Sequence, residues 1–507
     1  MFFFLLASWG QSYSSDILNL VLVYAPNVGW QCVLDVPLDK TILQKTQLPL
    51  KTAPIERPLE RQDRIRLTPG KEHDCCCDRL SDYYFPNGKH KLFKPAGHGE
   101  SKCLATLLQI IGWYNKDLEK TIDQVIKLSI ISFDIESLCI DETTIPIKKI
   151  GIATKNDNTY TEGKHVVQTQ VPYLIGSTCF NVERGFQQCQ NTRTKRNLLS
   201  QFKKGALKED TVFQSLRMYF PPEEFQQLLA TIFSQQKSQV FHIGDNHKKH
   251  VQTEPNAENI ETMVVKWLRY CYIQAKMCKL LKRMLLKDLM DRLKIVIEEI
   301  KVLADRRYSD IFSKALQKCQ SLIQETFLIS FNGANYDTVL IEKFLWNAAV
   351  QYKFKLNMFK KSTSIQSVNI KITKWLQETA CPISLTMKDV RNLEEPNVNL
   401  ATLGKKYNLE ISKGLFPHAI SDGIVTLKET KCLPSKESEI WYNILSHSKP
   451  SNQDIEQAHA DFEECSAQNL YDYAKSYLCR DVEVLFNVFF KILEAWKLSG
   501  VNIVLAR

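Results

Sequence analysis

The sequence predicts an α/β fold, with a mixed sheet flanked by helices. Three observations carry that expectation. Between Lys127 and Ile175 stand β-branched, apolar runs separated by Asp, Asn and Gly clusters, the pattern of strands joined by turns. Glu325 to Leu345 (ETFLISFNGANYDTVLIEKFL) is an apolar run, a Gly-Asn turn and the start of a helical pattern, a strand-to-helix unit of parallel-sheet type. Met263 to Arg307 contains neither Pro nor Gly and has apolar residues at helical spacing, including Val264, Leu268, Cys271, Ala275, Leu281, Leu285 and Leu289.

Taken in order, the first 126 residues form an N-terminal region of irregular character. Pro49 to Asp74 mixes turn-formers with short apolar runs. The opening MFFFLLASWG lacks a basic segment before its apolar run and reads as ordinary N-terminus. From Cys103 to Lys127, Leu104, Leu107, Leu108 and Ile111, then Leu118, Ile122 and Val125, predict a helical lead-in broken near Gly112. Strands are expected at Lys127–Ile140, Ile145–Thr154 and His165–Ile175, as a meander, with a short one at Ser238–Asp245. Residues 177–321 read as an insertion containing a long basic helix, about 257–307. Further strands are expected at Ser367–Ile372 and Pro382–Val390, and a helix at Leu400–Tyr407. A helical end runs from Asp454 to Leu498 with a weak break near Leu478–Arg480.

Composition narrows the class. Of 507 residues, 44% are hydrophobic and 24% charged, which is the balance of a globular chain and excludes collagen-like, mucin-like and coiled-coil readings. No uncharged apolar run reaches the roughly 18 residues of a membrane span. Lys and Arg number 66 against 56 Asp and Glu, a net +10 that favours polyanionic partners. Met263 to Arg307 holds twelve basic and five acidic residues, so +7 of that surplus sits in one helical stretch. It reads as a solvated helical face over a core stripe, or as a phosphate-contacting arm. Fifteen Cys without repeated spacing fit reduced thiols and an intracellular chain, cytosolic or nuclear. Cys75-Cys76-Cys77, with His73, His90 and His98, reads as thiols or as a zinc cluster, although adjacent Cys do not match the usual ligand spacing.

Four carboxylates stand out. Asp134 and Glu136 are two apart in a β-branched run, so strand alternation puts both on one face. Asp337 follows a strand and its turn, at the carboxyl edge where parallel sheets deliver functional residues. Asp481 lies in a helical stretch with Tyr477 one turn earlier on the same face. Each alone is a common solvated group. Together they offer the hard oxygen ligands that Mg²⁺ or Mn²⁺ prefers, and two such ions roughly 3.5–4 Å apart can hydrolyse a phosphodiester.

In that order, SFDIES (Ser132–Ser137), FNGANYD (Phe331–Asp337) and YLCRD (Tyr477–Asp481) resemble the three exonuclease motifs of family B DNA polymerases. The resemblance implies an RNase H-like 3′→5′ exonuclease fold over residues 127–507. It implies Asp134, Glu136, Asp337 and Asp481 as ligands of two Mg²⁺ or Mn²⁺ ions, with Tyr477 orienting the attacking water. Asn332 and Tyr336 would then contact a single-stranded DNA 3′ end. NLATLGKKYNLEISKGLFPH (Asn399–His418) is similar to a segment of the protein-primed members from viruses, linear plasmids and large DNA transposons. There Asn399 stands in place of a hydroxyl residue, and with Leu400 and His418 would lie along the DNA. Lys413 matches a lysine that assists hydrolysis, and a cation near the scissile phosphate would stabilise charge developing there.

The palm motifs Ser-Leu-Tyr-Pro and Asp-Thr-Asp are missing, and Arg507 comes 26 residues after Asp481. The expectation is the front part of a protein-primed polymerase, working with a terminal priming protein and a separate polymerase core. Two alternatives stay open: a free-standing exonuclease on DNA or RNA, and a degenerate single-strand-binding module.

Overall fold

In the computed structural model, the structure describes residues 20–25, 29–34, 104–146, 164–189, 192–243, 257–302, 306–361, 364–394, 398–420, 423–442 and 448–498. The thiol cluster at Cys75–Cys77, with His73, His90 and His98, lies outside them, as do the opening apolar run and most of the expected strand Ile145–Thr154. Contacts divide the chain into two compact units, one of Lys127–Met284 and Ile323–Lys491, the other of Met1–Ile126, Leu285–Leu322 and Ile492–Arg507. The single domain expected over 127–507 is therefore divided.

In the smaller unit, strands β1 (Leu20–Ala25) and β2 (Gly29–Leu34) pair antiparallel. Helices α1 (Leu104–Ile111) and α2 (Lys116–Lys127) form the expected lead-in, and the break falls at Gly112, whose φ of 79° is left-handed. Trp113 meets Phe312 edge-on at 5.5 Å and carries the Arg292 guanidinium 3.9 Å over its ring.

The larger unit is α/β. Its sheet holds β3 (Ile130–Pro146), β4 (Lys164–Phe180), β5 (Gln236–His242), β6 (Glu325–Ser330), β7 (Lys355–Lys361), β8 (Ser364–Ile372) and β9 (Ile383–Asp389), in the order β5-β4-β3-β6-β9-β8-β7. β6 runs parallel to β3 and β9, and the remaining pairs are antiparallel. All six residues of β6 are buried, Phe327, Leu328 and Ile329 among them, as suits a strand between two parallel neighbours. The third antiparallel partner at that side is β5, where the sequence suggested a three-strand meander within 127–175.

The reading of 177–321 as an insertion needs revision. Ser177–Phe180 complete β4, and β5 closes the sheet. Between them lie α3 (Val182–Gln188), α4 (Thr192–Lys203), α5 (Glu209–Tyr219) and α6 (Pro222–Phe233), which the polar composition concealed. α7 (Ala257–Val302) is 46 residues long, and its part up to Met284 packs on one sheet face: Trp267 packs on Phe133 at 5.1 Å and donates from its indole to Ser177 Oγ at 2.8 Å.

The basic character of α7 also has a different meaning. Lys276, Lys279 and Lys282 are buried at three-residue spacing, on the face turned inward. Lys276 meets Glu378 at 3.1 Å, Lys279 meets Glu209 at 2.7 Å, and Lys282 donates to the Glu325 carbonyl at 2.7 Å. These three cations tie α7 to the bend at Glu378, to the start of α5 and to β6.

Beyond α8 (Arg306–Gln324), β6 feeds α9 (Asp337–Tyr352). β7 went unnoticed in the sequence because KLNMFKK has no buried residue and only Leu356 and Met358 half-buried, as suits a lysine-rich edge strand. α10 (Leu400–Lys406) and α11 (Ile424–Glu429) follow β9, and α12 (Asn452–Glu464) opens on a Ser451–Asp454 capping box. α13 (Leu470–Leu498) runs unbroken through Leu478–Arg480. The break expected there lies earlier, where Ser466 takes a φ of 53° and Asn469 accepts from Asp472 N at 2.9 Å. No helix among the described residues is long and apolar enough to cross a membrane.

Candidate active site

On β3, Phe133 and Ile135 face α7 while Ser132, Asp134 and Glu136 point to the opposite face, which α13 covers; Ser132 Oγ donates to the Val482 carbonyl at 2.8 Å. Strand alternation thus turns a D-x-E into two carboxylates on the α13 side. Gly176 pairs with Asp134 across the sheet. A Cβ at Gly176 would lie 2.7 Å from Leu478 Cγ, so this glycine sets how closely α13 approaches. Tyr477, next to Leu478, and Asp481, one turn after it, are both buried.

Asp337 begins α9, at the end of the turn after β6. Two backbone features place it. Asn332 is left-handed, with φ 67°, and Gly333 passes so close to Ser330 that any Cβ would meet its hydroxyl at 1.8 Å. Asp389, at the end of β9, accepts from Asn332 N at 2.9 Å and Ala334 N at 3.1 Å. Sequence reading missed Asp389; its only signal was an acid at the end of a strand beside the second motif.

The three segments meet. Burial raises the Asp134, Glu136 and Asp337 carboxyls; the charge of Asp481 acts on the first two, and those of Asp134 and Glu136 act on Asp337. Burial pushes the Asp134 carboxyl up to about 7; Lys413 opposes this and Asp481 adds to it. Glu136 and Asp337 are raised well above the carboxylate range, by burial first and then by their acidic neighbours. Lys413 Nζ lies 2.7 Å from Asp481 Oδ2. Its burial opposes the charge, but Asp481 and Asp134 outweigh that and raise its pKa above the ordinary lysine value. Burial and the charge of Asp481 hold the Tyr477 phenol protonated far into the alkaline range. His418 stands 3.7 Å from Glu136 and edge-on to Tyr477; loss of water at the ring and the neighbouring Lys413 hold it neutral at pH 7.

A divalent cation asks for converging oxygens. Asp337 Oδ2 and Asp481 Oδ1 are buried without a hydrogen-bond partner, which is the state of an oxygen kept for a ligand. Among the described residues, however, no three of His, Cys, Asp and Glu stand arranged to hold an ion, and Lys413 rests on Asp481. The donor set suits Mg²⁺ or Mn²⁺, and its side chains are not drawn together.

The remaining expected residues divide. Tyr336 is 38% exposed and its hydroxyl lies 2.5 Å from Ser137 Oγ, at the rim of the site. Asn332 is committed to the turn, its Oδ1 accepting from Arg391 at 2.7 Å. Asn399 caps α10, accepting from Thr402 N at 2.8 Å, so a phosphate contact through that oxygen would compete with the cap. Leu400 is buried on the inner side of α10 with Leu403. Its apolar surface is what anchors that helix.

No family model, curated protein or solved structure matches this chain.

Proposed function

We propose that this chain is a 3′→5′ exonuclease on single-stranded DNA, the exonuclease-bearing part of a protein-primed family B DNA polymerase. One observation carries the reading: Asp134 and Glu136 feel the charge of Asp481, Asp337 feels theirs, and Asp337 and Asp481 carry buried oxygens without a hydrogen-bond partner. A mixed sheet flanked by helices, with Asp134 and Glu136 on β3 and Asp337 and Asp481 on helices α9 and α13, supports the RNase H-like assignment.

Asp134, Glu136, Asp337 and Asp481 would hold Mg²⁺ or Mn²⁺. Bound there, the ions supply activation of water and stabilisation of the departing 3′ oxygen. The chain's own groups do the rest. The Tyr477 hydroxyl, protonated at any working pH, holds a water by donating or accepting a hydrogen bond. Lys413 keeps a full positive charge beside Asp481 and, on a side chain about one-third exposed, can turn to a phosphate whose charge grows in the transition state. Tyr336 and Ser137 at the rim meet the end of the strand.

A second reading, a single-strand-binding module without hydrolysis, is favoured by the ion pair that draws Lys413 onto Asp481. Incubating the chain with a labelled oligonucleotide and Mg²⁺ separates the two. Stepwise shortening from the 3′ end, reduced by on the order of 10³-fold or more in Asp134→Ala/Glu136→Ala with an unchanged circular dichroism spectrum, supports the nuclease. Binding without shortening supports the module. Nucleotide incorporation in a primer-extension assay would contradict the absence of palm carboxylates from this sequence.

A further inference from the structure

A cavity of about 350 Å³ opens beside the start of α13, lined by Lys428, Lys431, Lys475, His242, Tyr471 and Asp472 among others. Three lysines against one aspartate make it basic, in a chain whose neighbouring site is acidic. Lys475 meets Asp472 at 3.2 Å, and Lys431 donates to the Lys428 carbonyl at 2.9 Å. The Lys428 and Lys475 ammonium groups lie 5.2 and 4.5 Å from the centre of the Tyr471 ring. That ring is buried, so it is a floor for both cations and is closed to a stacking base.

Its position relates it to the carboxylates. Glu136 pairs with Leu174, and Leu174 pairs with His242, so Glu136 and His242 share one row and one face of the sheet, two strands apart. That separation is roughly 10 Å. Tyr471 precedes Tyr477 by six residues on α13, about 9 Å of helix. The His242 and Tyr471 rings meet edge-on at 6.2 Å, which closes the corner between strand and helix. A single strand whose 3′ end lies at Asp134 spans such a distance in roughly three nucleotides, at about 3.4 Å of axial spacing per phosphate.

We infer that the Lys428–Lys431–Lys475 cavity is a phosphate subsite for the backbone of the single strand, upstream of the nucleotide at the carboxylates. It rests on the exonuclease reading for its substrate class. The charge arrangement fits that reading: acids take the ions at the scissile bond, and lysines placed a few nucleotides away offset the strand's repulsion from the acids. The released nucleoside monophosphate carries the same phosphate chemistry and is the other source to separate.

Equilibrium binding of the full chain, in EDTA, tests this without hydrolysis. The probes are 5′-fluorescein oligothymidylates of about two and about eight residues, and thymidine monophosphate as competitor. Lys428→Gln/Lys431→Gln/Lys475→Gln should weaken the longer oligonucleotide at least about tenfold at low salt and flatten its log–log salt dependence by about 2. The dinucleotide should change less than about twofold. Lys355→Gln/Lys371→Gln/Lys388→Gln, an equal loss of charge at exposed positions on β7, β8 and β9, should leave both nearly unchanged. If the triple variant fails to fold, Lys431→Gln alone should flatten the slope by about 0.7. Equal effects of the two triple variants, no effect, or a loss confined to thymidine monophosphate would each overturn the proposal. Intact shortening activity with unchanged oligonucleotide binding would sink the subsite alone. Lysine-dependent binding with no shortening in Mg²⁺ would sink the exonuclease reading alone.

Discussion

Lys413 and Asp481 form an ion pair at 2.7 Å, with the carboxylate fully buried and the lysine about one-third exposed. The lysine sits on the acid in this structure, and under the proposed function it would also serve a phosphate, so the two roles would compete. Lys413→Ala should lower single-turnover hydrolysis by on the order of 10²-fold while changing oligonucleotide affinity little. It should also cost about 2 kcal/mol of stability without metal, less than for a fully buried pair because Lys413 is partly solvated. Urea unfolding in EDTA and single-turnover kinetics together check this. A variant that loses affinity alone would make Lys413 a phosphate anchor.

Gly176 and Leu478 set the spacing between the sheet and α13. Gly176→Ala forces a Cβ to 2.7 Å from Leu478 Cγ. We expect about 1–3 kcal/mol of destabilisation from overpacking, and a loss of hydrolysis of about tenfold or more as Tyr477 and Asp481 shift. Adding Leu478→Ala should restore part of both, giving a favourable coupling in a double-mutant cycle. Additive losses would mean that the two residues do not meet as described.

Asn332 is left-handed and its side chain is tied to Arg391. Its role is therefore in the turn that carries Asp337. Asn332→Gly should keep most of the stability and activity, whereas Asn332→Val should cost roughly 1–2 kcal/mol for its positive φ and lower activity with it. Melting temperature and hydrolysis rate, measured in parallel, decide the matter. A large loss of rate in Asn332→Gly at unchanged melting temperature would return Asn332 to the DNA.

Lys282 is buried against Ser129 and the Glu325 carbonyl, and burial lowers its pKa to about 8 from 10.5. Below about pH 8 both folded and unfolded chains carry its proton, and the folded chain bears the cost of a buried charge. Between about 8 and 10.5 the folded chain has released the proton and the unfolded chain has not, so this contribution to stability rises with pH and levels off above. The gain is on the order of 3 kcal/mol at most. Urea midpoints at both ends of that window should show the rise in wild type relative to Lys282→Met; parallel pH profiles would show that Lys282 does not titrate there.

The periodicity of the chain determined much by itself. Alternation in β3 places Asp134 and Glu136 on one face, the apolar run of β6 ends in a turn that opens a helix at Asp337, and Tyr477 and Asp481 share a helical face. These are local regularities, set within a few residues of backbone geometry. What covers each face was decided only by the tertiary structure. Lys276, Lys279 and Lys282 look like a solvated stripe, yet Glu378, Glu209 and the Glu325 carbonyl, 43 to 102 residues away in sequence, draw them inside. Leu400 and Asn399 stand in a motif that suggests contact with DNA, yet one anchors α10 and the other caps it. Asp389 carries no pattern of its own; it matters because β9 lies beside β6 and brings its carboxylate under the turn at Asn332. A side chain's direction along its element is written locally, whereas its partner is fixed by strand order and helix packing over hundreds of residues.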